Sequence, residues 1–247
     1  MSTAYTAFAQ YYDELTQNVR YSERADYIES LLERFDHEPG LTLDLACGTG
    51  SLTVELKKRG LDIYGVDGSA DMLMQAQSKA TAEGLDILFL NQKMQNLDLY
   101  GTIDTCICTL DSLNHIIKTE ELQKVFDKVS LFMNPAGLFI FDVNTPYKHE
   151  RILADNVFVY DKRDVFCVWQ NTLLENLTIK INLDFFEKQG SLYRRYSESF
   201  CERAYTEREL RDMLMSSGFE ILSIYGELTF EAPGEDSQRN VYVVKKI

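Results

Sequence analysis

A glycine-containing turn followed by an acidic residue is the first feature of this sequence that could carry chemistry. Gly48 and Gly50 lie between an apolar run and a helix-like run in LDLACGTGSLTVELKKRG, and Asp44 comes just before the turn. Without side chains at the two glycines, backbone N–H groups can approach a ligand closely. Asp67 ends the next apolar run, where a carboxylate can accept both hydroxyls of an adenosine ribose. The pattern predicts a nucleotide-like cofactor.

Two absences narrow the choice of cofactor. A dinucleotide-binding fingerprint needs a third glycine or alanine where this chain has Thr53. A Walker loop needs Gly-Lys-Ser/Thr, which the turn lacks. A nicotinamide dinucleotide and a nucleoside triphosphate are therefore both disfavoured.

A second candidate group, Asp111, Asn114 and His115, follows the predicted fourth strand. In open α/β sheets, ligands bind at the carboxyl ends of the strands, where this loop lies. Asp111 and His115 are candidate catalytic residues that could take a proton, and Asn114 could contact the substrate. Each has a structural alternative. Asp111 and Ser112 can cap the next turn, and His115 can be a packing or surface histidine.

Short apolar strands that alternate with amphipathic helices place these residues. This alternation is typical of βαβ units and a parallel sheet. The predicted strands are 41–46, 61–66, 86–90, 104–110 and 137–143, and the predicted helices are 51–59, 69–82 and 119–133. Thr206 and Glu209 form a capping box that opens a later helix.

The pattern of apolar and polar residues changes after Pro146, where antiparallel strands are expected. In 178–185 apolar and polar residues alternate with a period of two, as in a half-buried antiparallel strand. We expect an N-terminal helical segment at 1–38, an α/β core at 39–150 and 204–247, and an inserted β cap at 151–203.

Composition bounds the class of protein. The chain has 247 residues and a net charge of -14, which disfavours nucleic acid as a partner. No apolar run approaches the ~18 residues of a membrane span, and no secretory signal is visible, so a cytoplasmic protein is expected. Five cysteines without a C-x-x-C motif and three scattered histidines favour no metal site.

Four motifs in order carry a resemblance over nearly the full length. They read FAQYYDEL, LDLACGTG, LDSLNHI and FDVNTPYK. They resemble class I S-adenosylmethionine (SAM)-dependent methyltransferases, and in particular small bacterial members with FAxxYDxL, CDSLNYL and FDVHSPYK. The resemblance implies a Rossmann-like, mostly parallel sheet of seven strands with an antiparallel last strand and helices on both faces. It also implies a β cap after the fifth strand and SAM as cofactor, with S-adenosylhomocysteine as its product.

The resemblance assigns residues to the methionine part of SAM. Ala46, Gly48 and Gly50 form the turn beneath it, and Asp44 holds that turn or reaches the amino acid group. Leu110 offers its carbonyl to the methionine amino group.

Other residues are assigned to the adenosine part. Asp67 takes the ribose hydroxyls, Ser69 and Met72 flank the adenine, and the backbone of Met94 faces the ring edge.

The N-terminal segment is expected to act as a lid over SAM, with Tyr12 and Tyr21 in it. The alternative is packing, because Tyr5, Phe8 and Tyr12 share one helical face.

The chain departs from the pattern of this family at Gly68, which replaces a common leucine, and at three positions that bear on function. Lys93 replaces an acid that would accept a hydrogen bond from the adenine amino group, which leaves Gln92, Asn96 or packing to hold the ring. Asn144 and Phe200 replace histidines. These losses keep open the alternative hypothesis of a protein that binds SAM but does not catalyse methyl transfer.

The cap is expected to select the methyl acceptor. Trp169 and Tyr193 can wall a pocket, and Arg195 or its neighbour Arg194 could bind an acceptor carboxylate as a bidentate fork.

The first interpretation is a SAM-dependent methyltransferase that acts by in-line displacement on N or O of a small molecule, as a monomer or homodimer. The alternatives are an RNA or protein methyltransferase, which predicts an open groove with a basic rim, and the non-catalytic SAM-binding partner protein. An NAD(P)-linked oxidoreductase is the least favoured reading.

Overall fold

The structure is a computed structural model that describes residues 6–16 and 18–247. Tyr5 and the side chain of Phe8, part of the predicted helical face, lie outside the described residues. The helices are Thr6–Leu15 (α1), Tyr21–Arg34 (α2), Ser51–Lys58 (α3), Ala70–Ala82 (α4), Thr119–Phe132 (α5) and Glu207–Ser216 (α6). The core strands are Leu41–Leu45 (β1), Asp62–Asp67 (β2), Phe89–Asn91 (β3), Ile103–Cys108 (β4), Met133–Asn144 (β5), Phe219–Gly226 (β10) and Arg239–Lys246 (β11). The strands between them are Val157–Asp161 (β6), Val165–Leu173 (β7), Thr178–Gln189 (β8) and Leu192–Arg203 (β9).

The seven core strands form one sheet in the order β10-β11-β5-β4-β1-β2-β3. Strands β1 to β5 pair in parallel, whereas β11 runs antiparallel to both β5 and β10. This confirms the predicted Rossmann-like sheet with its antiparallel last strand. The main difference in bounds is β5, which begins before residue 137 because Met133 already pairs with Ile103.

Apolar side chains cover both faces of this sheet, as expected for parallel strands between helices. One cluster lies under α5 and α6 and includes Leu43, Phe126, Phe139, Phe141 and Tyr242. The other lies under α2 and α3 and includes Ile28, Leu31, Leu56, Ile107 and Ile140. The rigid core that results fixes the positions of the loops at the carboxyl ends of β1, β2, β4 and β5.

The cap is a second sheet of four antiparallel strands in the order β6-β7-β8-β9. Ile179, Ile181, Leu183 and Phe185 alternate into a buried cluster, as the period of two predicted. Tyr11 of α1 belongs to that cluster, so the cap packs against the N-terminal helix.

The capping box at Thr206 is confirmed. Its hydroxyl accepts from the Glu209 backbone N–H, and the Glu209 carboxylate accepts in return from the Thr206 N–H. In the described part of the chain, no helix is long and apolar enough to cross a membrane. Among the described residues, no group of His, Cys, Asp and Glu side chains is arranged to hold a metal ion.

Candidate active site

The turn after β1 has a backbone that requires glycine at one position and leaves space at another. Ala46, Gly48 and Gly50 all have positive φ angles, of 61°, 55° and 71°. A Cβ on Gly50 would lie 2.8 Å from the Ala76 Cβ, so a side chain there would be both strained and crowded. A Cβ on Gly48 would meet nothing within 4 Å. The turn is packed against α4 at Gly50 and open at Gly48.

Asp67 joins this turn to the start of α4. Its carboxylate accepts from the Gly48 N–H at 2.9 Å and from the Ser69 N–H at 2.7 Å. Ser69 in turn caps α4 by accepting from the Met72 N–H at 3.3 Å. Burial raises the pKa of Asp67, while the two backbone hydrogen bonds act in the opposite direction. The structure thus brings together four residues that the sequence assigned to the cofactor.

Asp44 holds the turn from below. It accepts a hydrogen bond from the Thr53 hydroxyl of α3 at 2.5 Å. Burial, with a smaller contribution from Asp67, raises the pKa of Asp44 to about 7, against the lowering effect of the Thr53 bond. Of the two roles considered for Asp44, the geometry supports holding the turn. Thr53, which argued against a dinucleotide site, is its partner.

The side chain of Gln92, which was expected to contact the adenine, forms hydrogen bonds within its own loop. Both ends of its amide bind the backbone of Asp98, with Nε2 donating to the carbonyl at 3.0 Å and Oε1 accepting from the N–H at 2.8 Å. Gln92 therefore shapes its own loop, and since its Oε1 keeps a second lone pair, its role toward the adenine stays a prediction. Met94 lies in the next turn, half-buried against the core.

Two neighbouring spaces lie above the carboxyl ends of the strands. The first is a narrow cleft of about 40 Å³ against the glycine turn, lined by Tyr12, Tyr21, Asp44, Ala46, Gly48, Leu110 and neighbours. The second is a cavity of about 340 Å³ between the core, α1 and the cap. Its walls include Tyr12, Leu15, Leu110, Asp111, His115, Lys148, Phe158, Tyr160, Trp169, Phe200, Glu202 and Arg239. We call it the acceptor cavity. Tyr12 and Leu110 line both spaces.

The structure contradicts a role for Asp111 as proton acceptor. Its carboxylate accepts from Arg239 Nη2 at 2.6 Å and from Asn144 Nδ2 at 3.1 Å. Burial alone would raise its pKa, but Arg239, Lys148 and His115 hold the pKa of Asp111 well below its ordinary value. A carboxylate so stabilised in its ionised form is a weak base. Asp111 therefore forms, with Arg239, a charged wall on the core side of the cavity.

Asp142 at the end of β5 organises this wall. It accepts from the Leu110 and Asp111 N–H groups at 2.9 and 2.7 Å, which fixes the left-handed backbone at both residues. It also accepts from Arg239 Nη1 at 2.8 Å and from Arg24 Nη1 at 3.2 Å. The loop that carries Leu110 is thereby locked beside the glycine turn.

Asn114 is a structural residue, contrary to its predicted role in contacting the substrate. Its Oδ1 accepts from the Asn144 N–H at 2.9 Å, and its Nδ2 donates to the Arg203 carbonyl at 2.9 Å. These bonds consume the amide and join β5 to the last strand of the cap. Asn114 does not line the acceptor cavity.

His115 lies in the acceptor cavity as predicted, and a buried carboxyl faces it. Its Nε2 is 3.6 Å from Glu202 Oε1 of β9, and its ring packs against Phe200 at 5.2 Å between centroids, with the two rings tilted by 42°. Burial lowers the pKa of His115, although Asp111 and Asp67 oppose this. The imidazole is therefore neutral near neutral pH and can accept a proton.

The predicted cap residues divide between the two faces of the cap sheet. Trp169 lines the acceptor cavity beside Phe158 and Tyr160. Arg195 instead pairs with Asp184 at 2.8 Å on the outer face, and Tyr193 is 61% exposed there. An odd position in β9 points away from the cavity whenever the even ones point into it. The expectation that Arg195 and Tyr193 contact the acceptor is wrong for this reason.

Sequence reasoning missed Lys148, Glu202 and Arg239. Lys148 ends the FDVNTPYK motif, and its Nζ donates to Asn144 Oδ1 at 2.8 Å. Glu202 has the same strand parity as Phe200, which could have marked it as inward-facing. Arg239 is 128 residues from its partner Asp111, and no local pattern connects the two.

Comparison with known proteins places the chain in a family. A family model described as a methyltransferase domain matches residues 42–137. The Geobacillus sp. protein named "Putative methyltransferase GWCH70_2453" is 31% identical over 98% of this chain and 99% of its own. The crystal structure of an S-adenosylmethionine-dependent methyltransferase from Clostridium acetobutylicum is 33% identical, covers 98% of each chain and has a TM-score of 0.89. Streptomyces venezuelae DesVI, at 20% identity with 97% of this chain and 98% of its own covered, shares the fold with a TM-score of 0.79. The chain belongs to the S-adenosylmethionine-dependent methyltransferase family.

Proposed function

We propose that this methyltransferase moves the methyl group of SAM to a nitrogen or oxygen of a small molecule bound in the acceptor cavity. The observation that carries the proposal is the shared wall. Tyr12 and Leu110 line both the cleft at the glycine turn and the acceptor cavity. A donor whose methionine end lay against the glycine turn would present its methyl group, beside these two residues, to an acceptor in the second space.

The glycine turn fits SAM. The open side of Gly48 lets a ligand approach the backbone, and the Asp67 carboxylate lies at the end of β2, where a ribose would come. A bound sulfonium supplies an already activated methyl group. The protein has to align the acceptor, exclude water and leave a lone pair free.

The size of the acceptor cavity supports a small molecule. A volume of about 340 Å³ lies within the range of sites for small ligands and is closed above by the cap. A methyltransferase acting on RNA would need an open groove with a basic rim. The net charge of -14 opposes such a partner.

The chain's own groups can manage the proton that a nitrogen or oxygen acceptor must lose. Neutral His115 lies at the cavity wall 3.6 Å from Glu202. A weak base of this kind is sufficient, because the donor methyl is already activated. Tyr12 of α1 closes the space between core and cap and keeps water from the reacting atoms.

The test is a methyl-transfer assay with SAM labelled in its methyl group. We would offer separate pools of small amines, phenols and carboxylic acids, and in parallel total RNA and total protein. Label in a small-molecule pool, lost in the Gly50→Ala variant, is the expected result. Label transferred to RNA or protein alone would refute the small-molecule proposal.

A further inference from the structure

The group in the acceptor cavity that most needs an explanation is Glu202. Its side chain is only 6% exposed, yet it lines the cavity from the last strand of the cap. Burying a carboxyl group is costly unless an opposite charge or hydrogen bonds compensate. Residues with this cost in a cavity are candidates for a role in binding or catalysis.

The cations near Glu202 are engaged elsewhere. Arg239 donates to Asp111 at 2.6 Å and to Asp142 at 2.8 Å. Lys148 donates to the amide oxygen of Asn144 at 2.8 Å. Among the described side chains, the basic group within 4 Å of the Glu202 carboxyl is the imidazole of His115, at 3.6 Å. Glu202 therefore faces the cavity without a lysine or arginine bonded to it.

The charges around Glu202 set its protonation. Burial and then Asp111 raise the pKa of Glu202 to about 8, while Lys148, Arg239 and the Asn144 amide act in the opposite direction. His115 lies in the short 3₁₀ turn Ser112–His115 after β4, and burial keeps its imidazole in the neutral form. A carboxyl group with such a pKa exchanges its proton close to physiological pH, as an efficient general base must.

The cap contributes several aromatic side chains to the cavity wall. Trp169 packs against Phe158 and Tyr160 with ring centroids 5.8 and 6.3 Å away, and Phe200 covers His115. Aromatic faces bind apolar groups and also attract a cation such as an ammonium group. On its cap side the cavity combines aromatic faces with the Glu202 carboxyl, while Asp111, Lys148 and Arg239 on the core side are engaged with other partners.

We propose that Glu202 is a catalytic residue that takes the proton of the acceptor nitrogen, and that the acceptor is a primary or secondary amine on an apolar or aromatic group. This inference rests on the proposed function. An ammonium group gives its N–H proton to ionised Glu202, and the freed lone pair forms the new N–C bond. The S–C bond breaks, its electron pair stays on sulfur, and the methylated product leaves as an ammonium ion.

Binding of such an amine should change the number of protons bound to the protein and ligand, which can be measured. Before binding, at neutral pH, the cavity carboxyl and the free amine are both protonated. Once paired they share one proton, so binding releases about one proton to solvent. A neutral or anionic ligand of the same shape would not release it.

The test is calorimetric titration of the protein loaded with S-adenosylhomocysteine, using benzylamine, benzyl alcohol and benzoate as probes. Titrations at neutral pH in buffers of different ionisation enthalpy give the number of protons released. We expect benzylamine to bind with release of about one proton, and Glu202→Gln to weaken it at least tenfold and abolish the release. Glu198→Gln is the matched control, since Glu198 is a buried carboxyl on the same face of β9 outside the cavity lining.

The outcomes separate the two proposals. Failure of S-adenosylhomocysteine to bind in the loading step would overturn the proposed function, and the role of Glu202 with it. Normal loading followed by tighter binding of benzoate or benzyl alcohol, or by no benzylamine binding, would overturn the inference about Glu202 alone. Equal benzylamine affinity in wild type and Glu202→Gln would do the same.

Discussion

Glu202 should make the protein less stable as pH rises. The pKa of this carboxyl is raised from an ordinary 4.5 to about 8 in the folded state. Between these values the folded protein keeps a proton that the unfolded chain has already lost, so the free energy of unfolding falls with increasing pH. Glutamine cannot ionise and removes this effect.

We therefore expect Glu202→Gln to raise the Tm at pH values above about 8 and to change it little below about 4.5. Thermal unfolding of both proteins across that interval measures the difference. A constant Tm difference at all pH values would show that Glu202 does not titrate as the structure indicates.

At the scale of elements, α1 connects the core to the cap. Asp13 accepts from the hydroxyl of Thr49 in the glycine turn and from Nζ of Lys79 on α4, both at 2.7 Å. On the other side of the helix, the Tyr11 hydroxyl donates to Glu187 of β8 at 2.5 Å. Tyr12 between them lines both the cofactor cleft and the acceptor cavity. These contacts hold α1 between the core and the cap, and its action as a lid stays a prediction.

Asp13→Ala should loosen this lid without unfolding the protein. The Asp13 and Lys79 side chains are 46% and 27% exposed, so the pair contributes at most about 1 kcal/mol. We expect S-adenosylhomocysteine to dissociate a few-fold faster, as stopped-flow displacement would measure, with little change in Tm. Glu23→Ala, which removes the exposed pair with Arg20 on α2, is the control. Equal dissociation rates in both variants and wild type would argue against a lid.

At the scale of the whole molecule, a buried network of charges joins α2, the loop after β4, β5 and β11. Arg24 and Arg239 both bind Asp142, and Arg239 also binds Asp111. Glu227 completes the network through Arg24 Nη2 at 2.7 Å. Removing one partner from such a network leaves the other charges buried without compensation.

Arg239→Ala is therefore expected to lower the free energy of unfolding by about 3–5 kcal/mol, which urea denaturation would measure. Arg195→Ala is the matched control, because Arg195 is 62% exposed and pairs with Asp184 on the outer face of the cap. It should change stability by at most about 1 kcal/mol. A loss for Arg239→Ala no larger than this control would mean that the network contributes little.

The sequence could predict those parts of the molecule that depend on patterns within short segments of the chain. The alternation of strands and helices and the LDLACGTG turn lie within short segments, so the core sheet could be predicted from them. The roles of Asp44, Asp67 and Ser69 toward the cofactor stay predictions. The acceptor side is assembled from residues far apart in the chain, such as Asp111 with Arg239 and His115 with Glu202. Their pairing depends on tertiary contacts, and the parity of β9 decides which cap residues reach the cavity.

The most direct test of the account is calorimetric titration of the full chain with SAM, with NADH as a control, in wild type and Asp67→Asn. We expect SAM to bind and NADH not to bind. We also expect Asp67→Asn to weaken SAM binding by on the order of tenfold, since a hydrogen bond to a charged group contributes about 1.5 kcal/mol or more. Absence of SAM binding to the folded wild-type protein, or equal binding of NADH, would contradict it.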